Sequence, residues 1–429
     1  MKVVLLIFAV MLGVVQVDSV YAAERVSLED QLRILEQGRV PEKLIPGAQY
    51  RVAVFTFDDT DGIGLNDAFA ALAAREILTG SSAFSMGVIF FEGGLSPTRD
   101  SSLSYFDKVD RVTEAQDATL AVWGMIRETS EGVQVDTYLQ VPAAQLERFF
   151  TWRVTLPESM GGAELVARLR PDRVLVRRQL FSREGLAQVN AAAIEIGQVR
   201  EQPTAEAQVV ATLPMNEVYY LMEREGEWVR LTARSGVDGW APTEGHCLGE
   251  CKPFLEAASF AGQILRYMVD GTVPRPDASL SAEAQAVAQQ LQILDSVNST
   301  DRDDVESALV QAQSQREQQL VPPGGAAFAN LEALAALTIE LKSAFTRIAN
   351  EEYGIDANAP MPDDQRQAIY DSIKLEPDFV AFVADSLARA SQYDPRNTDV
   401  LANLGALFDY LGDDDRAALA VRLAAEYGR

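Results

Sequence analysis

The sequence predicts a multidomain α+β protein: a mixed α/β sheet domain, a small β-barrel, and an all-α, repeat-like C-terminal domain. Three observations predict it. Over 50–157, apolar β-rich runs alternate with amphipathic helical segments, the pattern of a sheet with helices packed on it. Between 197 and 241, short runs rich in β-branched and aromatic residues recur at the roughly 8–12-residue spacing of an all-β meander. From 254 onward the composition turns alanine-rich and helical, broken by glycine and proline. With 429 residues, 48% of them hydrophobic, the chain can bury several cores.

The balance of 63 acidic against 37 basic residues gives a net charge of −26. Such a surface repels phosphate backbones and anionic headgroups, so nucleic acid and polybasic membrane docking are not expected. Residues 1–22 place Lys2 before an apolar run from Val3 to Val15, with small residues at Ala22 and Ala23. That is the pattern of a secretory signal peptide; a retained anchor is the alternative, for which the run is short. The mature protein is expected to be exported, most simply to a bacterial periplasm, with no membrane span after signal removal.

In chain order, 23–49 read as a lead-in: Ser27 caps a short helix carrying Leu32, Ile34 and Leu35, ended by Pro41 and Pro46-Gly47. The α/β domain, 50–157, opens with a strand over Arg51–Phe57, an aspartate-rich turn at 58–62 and a helix over Leu65–Leu78. A second strand over Met86–Phe91, a helix over Ser104–Ala115, a hairpin of 118–128 with 132–141, and a last strand at Arg153–Leu156 complete it. Residues 158–193 read as a connector. Arg168, Arg170, Arg173, Arg177 and Arg178 make it locally basic, either as interdomain salt bridges or as a patch for an anionic ligand. The barrel spans 194–253, with strands over Val209–Leu213, Val218–Met222, Trp228–Leu231 and Val237–Trp240. The helical domain, 254–429, carries helices over Phe254–Val269, Ala282–Val297, Asp303–Leu320, Phe328–Ile348 and Gln365–Ile373.

Ordered details in the barrel stretch carry a family likeness. Val199-Arg200 followed by Pro203, Val210-Ala211-Thr212-Leu213-Pro214, Gly226-Glu227-Trp228-Val229 and Gly239-Trp240-Ala241 occur in succession. The stretch resembles a bacterial SH3-like (SH3b) domain, which implies a binding module strung beside other domains. More weakly, the strand and helix order of 50–142, with Ala118-Thr119-Leu120-Ala121-Val122-Trp123-Gly124, resembles the amino-terminal α/β domain of TolB-type and curli-assembly-type envelope proteins. That likeness implies protein contacts and no chemistry. Leu401, Leu404, Gly405, Phe408, Ala417, Val421 and Ala424 stand at the spacing of a tetratricopeptide repeat, so about 364–429 resembles a repeat-like, protein-binding end. A single copy cannot bury its own face and must stack on the helices before it.

The two cysteines, Cys247 and Cys251, lie four apart just after the last barrel strand. In an oxidising compartment they read first as a local disulfide. The single histidine, His246, adjoins them, but this crowded trio lacks the second ligand pair of a structural zinc site, and no metal is expected. No phosphate-cradling loop, nucleophile elbow or zinc-helix motif is present. Asp58, Asp59 and Asp61 suggest a calcium loop but lack its closing glutamate, and read as a turn with a helix cap. Asp301, Asp303 and Asp304, like Asp413, Asp414 and Asp415, suit helix N-termini.

Aromatic residues are the remaining candidates. Tyr219, Tyr220, Trp228 and Trp240 cluster in the barrel, where exposed rings could stack on a peptide or glycan. Strand alternation sends the two tyrosines to opposite faces. The sequence therefore reads as a non-enzymatic, cofactor-free, exported envelope-binding or scaffold protein that takes peptidoglycan peptide or a protein partner. The alternatives are a wall-modifying hydrolase with an SH3-like targeting module, and an assembly factor of an outer-membrane complex.

Overall fold

The computed structural model describes residues 26–80, 86–93, 95, 103–169, 173–243, 247, 249–298, 307, 310 and 324–428. The expected signal segment, all of the helix expected over 303–320 except residues 307 and 310, His246, Arg170 and the 301–304 aspartates lie outside the described residues. The described part is a mixed α+β protein: a large mixed sheet, helices on both of its faces, and a helical C-terminal region.

In chain order the first elements are α1 (Leu28–Glu36), β1 (Tyr50–Phe55), β2 (Asp58–Asp59), α2 (Asn66–Gly80), β3 (Met86–Phe91), α3 (Tyr105–Ala115), β4 (Leu120–Thr129) and β5 (Gly132–Gln140). Strands β3 and β4 both run parallel to β1, and β5 returns antiparallel to β4. The parallel strands read as nearly unbroken apolar runs because both sheet faces are buried. Alternation then sorts them: Val52, Val54, Val88 and Val122 enter one core, and Ala53, Phe55, Ile89 and Trp123 enter the other. Ser27 caps α1 by accepting from the Asp30 N–H, and Ser104 forms a reciprocal capping box with Asp107 on α3. Gly124 follows Trp123 because a Cβ there would run into the Phe57 ring.

The stretch expected as a connector is built into the body. After α4 (Ala143–Phe149), β6 (Thr151–Thr155) pairs with β7 (Glu164–Arg168) in a separate two-stranded sheet, and β8 (Val174–Phe181) pairs antiparallel with β5. The arginines there are tied down: Arg168 to Glu147 and Asp399, Arg173 to Asp107 and Asp110, and Arg178 to the buried Asp136. Helix α5 (Arg183–Ile196) leads into β9 (Gln198–Arg200), β10 (Val209–Thr212), β11 (Tyr219–Glu225), β12 (Trp228–Ala233) and β13 (Asp238–Pro242).

Those last strands continue the large sheet. Its order is β10-β9-β13-β12-β11-β3-β1-β4-β5-β8, with β11 joined antiparallel to β3 through Tyr219–Val88, Tyr220–Gly87 and Leu221–Met86. Among the described residues no pairing closes β9–β13 into the expected barrel; the edge such a barrel would close on is occupied by β3. The β11–β12 hairpin turns on Gly226-Glu227, with Gly226 at φ 59°, a left-handed position that suits glycine.

The remaining helices are α6 (Cys251–Asp270), α7 (Ala282–Asn298), α8 (Gly324–Glu351), α9 (Asp363–Asp371), α10 (Pro377–Tyr393), α11 (Thr398–Tyr410) and α12 (Asp414–Tyr427). Helix α6 crosses α2 closely at Gly262, where a Cβ would stand 2.9 Å from the Ile77 carbonyl oxygen. The closing pair α11 and α12 meets at Gly405, over which Val421 packs, and Asp413 caps α12. The C-terminal helices join the sheet region through β7. The Asn403 amide accepts from the Val166 N–H at 2.8 Å and donates back to the Val166 carbonyl at 2.8 Å, as a neighbouring strand would. One turn earlier Asp399 accepts from the Arg168 N–H at 3.2 Å, and Asn330 of α8 adds a bond to the Val166 carbonyl at 3.1 Å.

Two substitutions test these joints. Arg75 on α2 is buried and donates to the Pro242 carbonyl at 2.6 Å and the Ile196 carbonyl at 3.0 Å, tying β13 and the end of α5 to the parallel half. Arg75→Met strands both acceptors and should cost about 2–3 kcal/mol in urea unfolding. Asn403→Leu leaves the Val166 N–H unpaired and should cost a similar ~2–3 kcal/mol, with proteolysis of the C-terminal helices accelerating before the sheet is cut.

Candidate ligand-binding face

The sheet has two faces, but its antiparallel end is packed on only one of them. On β12 and β13, Val229, Leu231, Ala233 and Ala241 point into the main core, while Trp228, Arg230, Thr232, Asp238 and Trp240 point away from it. Helices α1 and α3 lie over the β1, β3 and β4 part of that outward face, with Leu28, Val109 and Val112 in the second core. Among the described residues no helix covers the β9–β13–β12 part.

Three of the four aromatic residues singled out in the sequence stand on this outward face. Cross-strand register puts Trp240 directly between Arg230 on β12 and Arg200 on β9, and puts Trp228 opposite Pro242. The Arg200 guanidinium lies over the Trp228 ring, 6.0 Å from its centroid. Both tryptophans are half-buried. Tyr220, opposite Gly87, is half-buried as well and packs against the second core, bounding the face where it meets the parallel strands. Tyr219 is not part of the site: it is 5% exposed, packs against Phe90, and carries the Arg75 guanidinium 5.6 Å above its ring.

The two arginines differ in their pairing. Arg230 is held by Asp238 at 2.9 Å, and Asp238 also accepts from the Thr232 hydroxyl at 2.7 Å. Those bonds, the threonine's first and the arginine's second, hold the Asp238 carboxyl below its ordinary value. Among the described residues Arg200 meets only neutral acceptors, the Ala207 carbonyl at 2.7 Å and the Gln198 side chain at 3.2 Å, and no carboxylate there cancels its charge. The face thus offers two aromatic surfaces and one uncancelled cation in a protein of net charge −26. Such a set can stack on apolar or sugar faces while a guanidinium takes a carboxylate.

Cys247 and Cys251 form a disulfide with Cα atoms 5.2 Å apart, and both are buried at the start of α6. Beside it, the Glu250 carboxylate accepts from the Ser182 N–H at 2.7 Å, fixing the start of α6 against the start of α5. The aspartate-rich turn does structural work: Asp59 accepts from the Ile63 and Gly64 N–H groups at 3.0 and 2.7 Å, and Asp61 from the Glu128 N–H at 2.7 Å. Among the described residues no cluster of histidine, cysteine or acidic side chains could hold a metal ion, and no helix is long and apolar enough to cross a membrane. A cleft among Arg75, Ile196, Pro214 and Tyr219 has about 20 Å³, room for one water. The arginines of the face were the residues sequence reasoning missed; the signal was present in the alternation Trp228-x-Arg230, which puts both side chains on one side of a strand. Compared with known protein families, curated proteins and solved structures, the chain matches none.

Asp238 should couple this face to pH. Its folded-state pKa is depressed, so its contribution is complete above the ordinary carboxylate value of 3.8 and is lost as the pH falls through the lower folded value. Tryptophan emission should therefore show an acid transition centred below 3.8. Thr232→Val, which removes the largest cause of the depression, should move the midpoint upward.

Proposed function

We propose that this is a non-enzymatic, exported cell-envelope protein that binds peptidoglycan peptide through the open face of β9, β12 and β13. The observation that carries this reading is the placement of Trp228 and Trp240 beside Arg200, whose charge no carboxylate among the described residues cancels. Stem peptides combine short aliphatic side chains with free carboxylates, which aromatic rings and a guanidinium complement. The likeness of the 197–241 stretch to SH3-like modules supports a binding role for it. The α/β strands and the repeat-like tail would then act as the body that positions this face and offers further protein contacts.

Co-sedimentation of the mature chain with purified sacculi tests the reading. Saturable pelleting is expected, reduced roughly tenfold or more in affinity by Arg200→Gln, in keeping with the loss of one charge-assisted contact. A Trp228→Ala/Trp240→Ala pair with an unchanged circular dichroism spectrum should abolish it. Pelleting no greater than that of a control protein of equal charge would remove wall peptide as the ligand and leave a protein partner for this face.

A further inference from the structure

The exposed backbone edges of this protein are treated unequally. The outer edge of β7 is filled by the side chains of Asn403, Asp399 and Asn330. The outer edge of β8 is filled by Glu283, which accepts from the Leu175 N–H at 2.9 Å, and by Ser281, whose N–H donates to the Val176 carbonyl at 2.8 Å. Strand β10 ends the large sheet on the opposite side, and among the described residues no hydrogen bond crosses its outer edge. Two of its four side chains are apolar and open, Val209 40% and Val210 49% exposed; Thr212 is exposed as well, and Ala211 packs against the main core.

An edge of this kind is a template for another strand unless something deters pairing. The usual deterrents are a lysine or proline within the strand, a bulge, or short length. Strand β10 is short, and its register against β9 shifts between Val209 and Ala211. Those two features limit any added ladder to about four residues and do not bar it; the strand has no lysine or proline, and residues 207–216 carry no charge at all in a chain of net charge −26.

We propose that β10 is a self-association edge, pairing antiparallel with β10 of a second copy of this chain. The charge pattern favours that occupant. A two-fold axis at Val210 or at Ala211 sets Glu206 opposite Pro214 or Asn216 of the other copy, and sets Glu217 opposite Pro203 or Ala205, so no carboxylate faces another across the ladder. The identical uncharged strand meets itself, which makes the interface isologous and closed. A two-fold axis relating adjacent antiparallel strands stands perpendicular to the sheet. The open faces bearing Trp228 and Trp240 in the two copies therefore look the same way, along one continuous sheet. Dimerisation would give a bivalent surface in which the second contact forms at high effective concentration.

The test is sedimentation velocity on the mature full-length chain across a concentration series, with hydrogen–deuterium exchange on the same samples. A reversible dimer is expected, with exchange at 209–212 slowing about tenfold as it populates. Added salt should strengthen it, because the neutral backbone bonds persist while repulsion between two acidic bodies is screened. Val210→Lys puts like charges at or beside the axis and should return the protein to monomer with an unchanged circular dichroism spectrum. Thr212→Lys, at another exposed position of the strand, serves should the first variant fold poorly. A monomer at every concentration overturns the proposal, as does a dimer that both folded lysine variants leave intact or that leaves 209–212 unprotected. Sacculus binding by a monomer would survive that result, so the two readings fail separately.

Discussion

Three residue pairs between β11 and β3 decide the shape of this protein. Without them, β9–β13 would form a small antiparallel unit with its own edge to satisfy; with them, that unit becomes the extension of a parallel sheet. The consequence for packing is immediate. Helices α2, α5 and α6 can cover the main face across the join, so Tyr219, Leu221, Val229 and Leu231 share one core with Val52 and Phe69. Arg75 completes the join from the helix side, and its guanidinium accounts for two carbonyls that would otherwise lie unpaired at the ends of α5 and β13. The open face exists because the cover on the opposite side, α1 and α3, is used up over the parallel strands.

Polar side chains, in turn, fix how the helical region sits. Burying an amide gains little net free energy, but leaving its partner unpaired costs about 1–3 kcal/mol. The geometry at β7 uses that asymmetry. Asn403 and Asp399 stand one turn apart on α11, a rise that matches the two-residue repeat of the strand edge well enough for both to reach main-chain groups. Sliding the helix by one residue would strand these groups, whereas an apolar contact would tolerate the slip. The repeat-like end is thus held in register by hydrogen bonds, with Gly405 allowing the close approach of α12 behind it.

Much of this was legible residue by residue. The strand over Met86–Phe91 has the limits expected from its apolar run, the helix expected over Ser104–Ala115 runs Tyr105–Ala115 with Ser104 as its cap, and Ser27 and Asp413 cap helices where the sequence placed their N-termini. Strand β8 was not legible, because Arg177 and Arg178 break the apolar run and made the segment read as a charged connector; their partners, the Ser279 carbonyl and Asp136, are supplied by distant parts of the chain. The β11–β3 joint was illegible for a related reason. Local sequence specifies that Tyr219 to Leu221 will be a strand, but not which edge it meets, and an edge that could close a barrel can equally extend a sheet. For the candidate face, alternation correctly separated Tyr219 from Tyr220. It could not supply Arg200, whose position beside Trp240 depends on the pairing of β9 with β13.

The electrostatics of the open face constrain what it can capture. A body of net charge −26 repels an anionic ligand at long range, and at physiological ionic strength that field decays over about 8 Å. Arg200 can act only inside that distance, once a ligand is already near the tryptophans. On the proposed reading, recognition would begin with the rings and end with the guanidinium, the reverse of electrostatic steering. Such a surface would suit ligands held at high local density, for which slow encounter matters little, and would discriminate against free anions, for which encounter is everything. A fixed polymer presenting many identical short peptides meets that condition, and two faces on one rigid sheet would meet it better than one.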